Sequence, residues 1–264
     1  MSKKVSIMAT QFALGLIVDG VAGGKTKQAV KDFQAKSGLV ADGIIGAKTL
    51  AEIEKLISEK EKKPVDESAF FRHIRLALFK TLKQSQVDGM KAKLSVISDL
   101  PVTYQAYILA TAYHETAHTM QPIPEYGKGS SRAYGKWVKD STGNIVGYRN
   151  GRKHTYRKSD YPHLYYGRGD VQLTWLDNYL YAGKALGIPL AENPDLALNP
   201  EVSAKIMRVG MMQGWFTTRK LSDFMTRTSA DFAKARLIIN GVDKKDLIAR
   251  YAEIFAAALW AAKQ

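Results

Sequence analysis

Residues 104–120 read Tyr-Gln-Ala-Tyr-Ile-Leu-Ala-Thr-Ala-Tyr-His-Glu-Thr-Ala-His-Thr-Met, and their spacing predicts a single helix over this range. Side chains three and four positions apart lie on one face of a helix. On that basis Tyr107 and Ile108 share a face with Glu115 and His118. A carboxylate that continues an apolar stripe is partly desolvated, which disfavours its charged form and suits a proton donor.

The same stretch contains the pattern H-E-x-x-H at residues 114–118. On a helix this pattern places two histidines one turn apart, where both can bind zinc, and the glutamate then acts as the general base. A zinc site needs a third ligand, for which the candidates are Glu125, His154, Asp160 and His163. The extended zincin pattern is absent, because Gln121 and Pro124 occupy the positions of its glycine and last histidine. Three interpretations of this stretch remain open at this point. It could belong to a zinc peptidase or amidase, carry a general acid that works without a metal, or be an alanine-rich helix with incidental histidines.

Three further motifs follow the histidine-rich helix. Residues 165–179 read Tyr-Tyr-Gly-Arg-Gly-Asp-Val-Gln-Leu-Thr-Trp-Leu-Asp-Asn-Tyr, and their glycines allow a tight turn and close approach of the backbone. Asn-Pro-Asp occurs at residues 193–195 and Ile-Asn-Gly at residues 239–241. With His-Glu-Thr at residues 114–116, these motifs resemble glycoside hydrolase family 19, which has a chitinase-like lysozyme fold.

The resemblance implies a role for each matching residue. Glu115 would be the general acid, Glu125 the general base, and Thr174 the hydroxyl that holds the attacking water. The implied substrate contacts are Tyr166, Arg168, Gln172, Asn178 and Asn240. Val242 replaces the second glycine of the family's Ile-Asn-Gly-Gly motif, which puts the geometry at Asn240 in doubt.

Two carboxylates with these roles imply single displacement with inversion, without a metal or cofactor. A retaining reaction stays open, because sequence does not give the separation of the carboxylates. The plain interpretation of Trp137, Trp175 and Trp215 is that they lie in the core.

The N-terminal part contains an internal repeat. Residues 19–26 read Asp-Gly-Val-Ala-Gly-Gly-Lys-Thr, and residues 42–49 read Asp-Gly-Ile-Ile-Gly-Ala-Lys-Thr. Each copy predicts a tight turn that opens an amphipathic helix, so two copies predict a compact three-helix module. With Ala-Val-Lys-Asp-Phe-Gln between the copies, the segment resembles the type-1 peptidoglycan-binding domain over about residues 10–57. The apolar run from Val5 is interpreted as the first helix of this module, without a convincing export signal.

Composition sets the domain boundaries and the class of partner. A charged segment with one proline divides the chain into a binding domain at residues 1–60, a linker at residues 61–68 and a catalytic domain at residues 69–264. The predicted fold class is mainly α, with a small three-helix domain and a larger lysozyme-like helical domain. The chain has no cysteine and a formal net charge of +14, which favours a polyanionic partner. No nucleic-acid-binding module is recognisable. Together with this charge, the resemblance to a peptidoglycan-binding domain implies an acidic cell-wall polymer as the partner.

Both resemblances together imply a modular bacteriophage endolysin. The expected activity is hydrolysis of β-1,4 glycosidic bonds of peptidoglycan, of the muramidase type, and a zinc-dependent amidase or peptidase and a chitinase are the alternatives. A monomer is expected, with at most weak contact to an outer membrane. The implied route is synthesis in the host cytoplasm and action on the wall in the periplasm.

Overall fold

In the computed structural model, which describes residues 2–264, the chain is mainly helical, so the predicted fold class is confirmed. The α-helices in this range are α1 (Lys3–Ala13), α2 (Gly24–Lys36), α3 (Ala47–Lys60), α4 (Glu67–Ala77), α5 (Gln84–Ile97), α6 (Val102–Glu115), α7 (Leu176–Leu186), α8 (Pro200–Gln213) and α9 (Lys245–Ala261). The strands are β1 (Ile123–Pro124), β2 (Val138–Lys139), β3 (Ile145–Tyr148), β4 (Thr155–Arg157) and β5 (Arg168–Gly169). None of the helices in residues 2–264 combines the length and apolar character that a membrane span requires.

Two compact units divide the chain. The first comprises residues up to Val87, Ile97–Thr111 and Met211–Gln264, and the second comprises Asp88–Val96 and Ala112–Gly210. The predicted linker at residues 61–68 therefore does not coincide with a boundary between compact units. The predicted catalytic domain at residues 69–264 contributes to both units.

The duplicated Asp-Gly motif forms the same hydrogen-bonded turn in both copies. In the second copy, the buried Gln34 amide donates to Asp42 at 2.9 Å and to Thr49 at 3.0 Å. Gly43 has a φ of 75°, a conformation that side chains rarely adopt, so the turn requires glycine there. The equivalent bonds in the first copy join Gln11 to Asp19 and Thr26. In each copy, one buried glutamine thus links the Asp-Gly turn to the helix that follows it, which explains the spacing of the repeat.

Helix α1 packs against both α3 and the C-terminal helix α9 within the first unit. Phe12 of α1 is fully buried and stacks on Trp260 of α9, with ring centroids 6.4 Å apart. Lys4 forms an ion pair with Glu253 at 2.9 Å. The apolar face of α1 is therefore covered by the end of the chain, which the sequence alone did not indicate.

Glu61 is the buried centre of a polar cluster at the start of the predicted linker. Its side chain is only 5% exposed and accepts hydrogen bonds from the Val102 amide at 3.1 Å and the Trp260 indole at 3.3 Å. Arg227 forms an ion pair with the same carboxyl group. Burial nevertheless raises the pKa of Glu61, because the cost of desolvating the carboxylate exceeds the stabilisation that these partners provide.

The raised pKa of Glu61 predicts a pH-dependent contribution to stability. A carboxyl with a folded-state pKa above its ordinary 4.5 stabilises the fold most below that pH, and less as pH rises through the folded-state pKa. The advantage in unfolding free energy of the wild type over Glu61→Gln should therefore decrease as pH rises above 4.5 in denaturant titrations. Glu59→Gln, at an exposed residue of the same segment, is the control that should show no such trend. A difference that grows with pH would contradict the assignment.

Candidate active site

The helix that carries Glu115 ends at that residue, earlier than the sequence predicted. Ala117 and His118 have φ values of 49° and 68°, so the chain leaves the helix directly after Glu115. The buried Thr116 hydroxyl stabilises this end, because it donates to the Ala112 carbonyl at 2.8 Å and accepts from the Met120 amide at 3.0 Å. Glu115 is thus a half-buried residue in the last turn of α6.

This early end removes the geometry that a zincin site needs. The H-E-x-x-H pattern binds zinc when both histidines lie one turn apart on one helix face. His118 lies beyond the helix end, and its ring stacks on Tyr113 with centroids 4.2 Å apart. Within residues 2–264, no three His, Asp or Glu side chains converge as a metal site would require. The positions of His114 and His118 therefore do not fit the zinc hypothesis.

Backbone pairing with the Gly-Arg-Gly segment places Glu125. β1 pairs with β5 in antiparallel register, with Ile123 opposite Gly169. Directly after β1, the Glu125 amide donates to the Gly167 carbonyl at 2.7 Å. The Gly167 amide donates in turn to the Glu125 carboxylate at 3.2 Å. The motif at residues 165–179 thus holds the proposed base through main-chain atoms.

Tyr134 is a second partner of Glu125, and no sequence motif marks it. Its hydroxyl donates to the Glu125 carboxylate at 2.8 Å. Burial, together with this carboxylate, raises the pKa of Tyr134 to about 12, so the phenol remains a donor at neutral pH. A side chain at Gly129 would come within 2.6 Å of the Tyr134 ring, so this glycine allows the ring to approach. The edge of that ring contacts Trp175, with centroids 4.8 Å apart.

Tyr134→Phe is expected to lower kcat about 10-fold, since hydrogen bonds to charged groups contribute about 1.5–3 kcal/mol. Without this donor the Glu125 carboxylate keeps its bond from the Gly167 amide but loses the one that fixes its second oxygen, so its orientation toward the attacking water is less defined. The loss can be followed with a soluble glycan substrate. Tyr126→Phe, at a fully exposed tyrosine of the same loop, is the control and should leave kcat unchanged. A wild-type kcat for Tyr134→Phe would leave Tyr134 a packing role only.

Gln172, Thr174 and Asn178 lie on one hydrogen-bonded segment beside β1. The Gln172 amide donates to the Ile123 carbonyl at 2.9 Å and to the Gly169 carbonyl at 3.1 Å. The Thr174 hydroxyl donates to the Gln172 carbonyl at 2.7 Å, and the Asn178 amide donates to the Thr174 carbonyl at 2.8 Å. The structure therefore brings these three predicted residues together with the strand that leads into Glu125. Their contacts with a substrate stay predictions.

The buried Arg168 side chain links two of the sequence motifs. Its guanidinium is only 4% exposed and forms an ion pair with Asp195 of the Asn-Pro-Asp motif at 2.7 Å. The same group lies 3.6 Å from the centroid of the Tyr166 ring and donates to the Tyr179 hydroxyl at 3.2 Å. Both Tyr166 and Arg168, predicted as substrate contacts, are thus engaged in packing the segment that positions Glu125. Their role at a substrate remains a prediction.

Asn240 belongs to the first compact unit, whereas Glu115, Glu125 and Thr174 belong to the second. Its side chain is exposed and accepts a hydrogen bond from the Gly241 amide at 2.8 Å. The Asn240 side chain borders an open depression whose lining also includes Thr217 and Leu237. Its role in substrate binding also stays a prediction.

Three tryptophan side chains are less buried than the sequence predicted. The sequence predicted that three tryptophans lie in the core, but their side chains are half-buried: Trp137, Trp175 and Trp215. Trp260 is the fully buried tryptophan of the described chain. Of the three, Trp175 borders the site through its contact with Tyr134.

A buried ion pair underlies the segments that carry the two carboxylates. Lys93 of α5 lies 2.9 Å from Asp170, and both side chains are fully buried. The Lys93 ammonium also donates to the Met120 carbonyl at 2.9 Å, five residues after Glu115. The Ser203 hydroxyl of α8 donates to the other oxygen of Asp170 at 2.7 Å. This network connects the chain after α6 with the end of β5, and sequence analysis did not identify it.

Comparisons with known proteins agree with the two sets of motifs. Residues 7–53 match the peptidoglycan binding domain family, and residues 103–222 match the chitinase class I family. Chitinase 11 of Oryza sativa subsp. japonica is 35% identical over 111 residues, which cover 39% of this chain and 42% of that protein. Endochitinase CH5B of Phaseolus vulgaris is 28% identical over 173 residues, which cover 53% and 52%. The chain therefore spans about half, or less, of the length of these relatives.

Solved structures of family 19 chitinases also match. Chitinase C from Streptomyces griseus has a TM-score of 0.47 at 22% identity and covers 72% of this chain and 76% of its own. A bacterial family 19 chitinase has a TM-score of 0.44 at 24% identity and covers 74% of this chain and 94% of its own. The two family models, which match separate segments, show that the chain is modular, with a peptidoglycan-binding domain at residues 7–53 and a domain of the class I chitinase family, glycoside hydrolase family 19, at residues 103–222.

Proposed function

We propose that this protein is a glycosidase that hydrolyses glycosidic bonds of a cell-wall polymer. The observation that carries the proposal is a pair of half-buried glutamates within a family 19 domain. Glu115 lies at a helix end, and Glu125 is held by Gly167 and Tyr134. Paired carboxylates are the chemical requirement for glycoside hydrolysis by this route.

In the proposed mechanism, Glu115 protonates the leaving glycosidic oxygen while Glu125 removes a proton from water on the opposite face of the sugar ring. Two hydrogen bonds on the Glu125 carboxylate fix its orientation, so its remaining lone pairs can accept the proton from water. Thr174 would hold that water, as the family resemblance implies. The step inverts the anomeric centre.

We propose peptidoglycan as the substrate, cleaved by a muramidase activity. Two features support this choice: the peptidoglycan-binding domain at residues 7–53, and a net charge of +14 that suits a polymer bearing carboxylates. A role as an endolysin, acting on the wall in the periplasm after synthesis in the host cytoplasm, belongs to the same proposal. Chitin is the second candidate, because the matching family and the relatives reported above are chitinases.

Digestion of purified peptidoglycan and of chitin, with the products identified by mass, tests the proposal. New reducing ends from peptidoglycan without new amino groups, unaffected by EDTA, would support a glycosidase acting on the wall. Reducing ends from chitin alone would favour the second candidate. Free amino groups that disappear with a chelator would instead support an amidase or peptidase and overturn the proposal.

A further inference from the structure

Much of the positive charge of this protein lies in one short segment of the second unit. Residues 136–158, called here the basic sheet, contain β2, β3 and β4 and the turns between them. This segment carries seven basic residues against the single acidic Asp140, a net charge of +6 within a total of +14. The basic residues are Lys136, Lys139, Arg149, Arg152, Lys153, Arg157 and Lys158.

Most of these cations have no carboxylate partner. Arg149 pairs with Asp177 at 2.6 Å, and the other six side chains are exposed and form no salt bridge within residues 2–264. Asp140 is engaged in its own turn, where it accepts from the amides of Thr142 and Asn144. Six unpaired like charges on a three-stranded sheet repel one another, so the sheet creates a local positive field that attracts an anionic ligand.

The basic sheet is joined to the proposed active site at both sides. Tyr134, which donates to Glu125, precedes Lys136 by two residues. The ion pair between Arg149 and Asp177 ties the middle of the sheet to the segment that contains Thr174. A polymer with its scissile bond at Glu125 therefore has the positive field of the sheet beside it.

We propose that the basic sheet binds carboxylates of the polymer that is being cleaved, and so selects anionic peptidoglycan over neutral chitin. This inference rests on the proposed function and assigns its substrate class. Stem peptides of peptidoglycan carry carboxylates at intervals along the glycan, whereas chitin carries none. Exposed ion pairs are individually weak and are screened at high salt, so several contacts act together and the preference depends on ionic strength.

The test compares two full-length quadruple variants with the same formal net charge. The first, Lys139→Gln/Arg152→Gln/Lys153→Gln/Arg157→Gln, neutralises the basic sheet. The control, Arg72→Gln/Arg75→Gln/Lys80→Gln/Lys184→Gln, removes the same number of exposed arginines and lysines elsewhere. The substrates are soluble peptidoglycan, the same material with its carboxyl groups amidated, and a chitin oligosaccharide.

On native peptidoglycan the sheet variant should raise KM about 10-fold at about 0.1 M salt, with kcat unchanged. The control should change KM no more than about 2-fold, and the difference should vanish on amidated material. Equal effects of the two variants, or equal effects on native and amidated peptidoglycan, would overturn the inference. Loss of binding to lipopolysaccharide vesicles with an unchanged KM would also overturn it, in favour of a membrane ligand. Wild-type protein that releases no reducing ends from any substrate would refute the proposed function itself.

Discussion

Glu115→Gln is expected to lower kcat on the polymeric substrate by about 10²–10⁴-fold with little change in substrate binding, the range for loss of general acid catalysis. Glutamine has nearly the same shape but no proton to donate to the leaving oxygen. Its amide can occupy the same half-buried position at the end of α6, so folding should be preserved. Reducing-end assays together with binding of the intact polymer separate the two effects.

A substrate with an activated leaving group sharpens this experiment. An aryl glycoside with an acidic phenol needs little protonation, so Glu115→Gln should lose far less activity on it than on the polymer. Glu125→Gln should lose activity on both, because the attacking water still needs a base. His118→Ala is the matched test of the zinc hypothesis and should keep near wild-type activity that is insensitive to a chelator. Equal losses for Glu115→Gln on both substrates would refute its role as acid.

Local pattern was sufficient to predict much of the fold. The repeated Asp-Gly turn and the periodic apolar positions specify the N-terminal helices, since both signals lie within about a dozen residues. Prediction failed at the end of α6, because Thr-Ala-His-Thr is compatible with a helix and Pro122 offered a later end. The actual end depends on the buried Thr116 hydroxyl, which competes for backbone groups in a way that periodicity does not show.

Glu61, the first residue of the predicted linker, shows the same limit. The run of charged residues that begins near Ser58 indicated an exposed connection, yet Glu61 is buried against three segments that lie far away in the chain. Only the tertiary structure supplies those partners.

The motifs predict that Glu125, Gln172 and Thr174 belong to one site, and the pairing of β1 with β5 joins the segments that carry them. Tyr134 and Lys93 have no motif around them. Lys93 acquires its importance only from Asp170 and Met120, which are remote in sequence. No local signal in the sequence distinguishes this lysine from the other lysines of the chain.

Asp170→Asn is expected to destabilise the protein by about 3–5 kcal/mol, because it leaves the Lys93 ammonium buried without its counter-charge. Asparagine keeps the size of the side chain and can still accept from Ser203, so the loss reports mainly on charge. The double variant Lys93→Met/Asp170→Asn removes both charges and should recover part of the loss. Denaturant titrations of the wild type, the single variants Asp170→Asn and Lys93→Met, and the double variant give the coupling energy as a double-mutant cycle.

The exposed pair Lys205–Glu201 on α8 provides the matched control, with a bond length of 2.8 Å but both side chains in solvent. Its coupling energy should be about 0.2–1 kcal/mol, as for other surface pairs. Because Lys93 also holds the Met120 carbonyl, its loss should loosen the chain between Glu115 and Glu125 and reduce kcat at temperatures where the double variant is still folded. A buried pair that served stability alone would leave kcat of the folded double variant unchanged. If the coupling energy is no larger than that of the surface pair, the buried network does not fix the positions of Glu115 and Glu125.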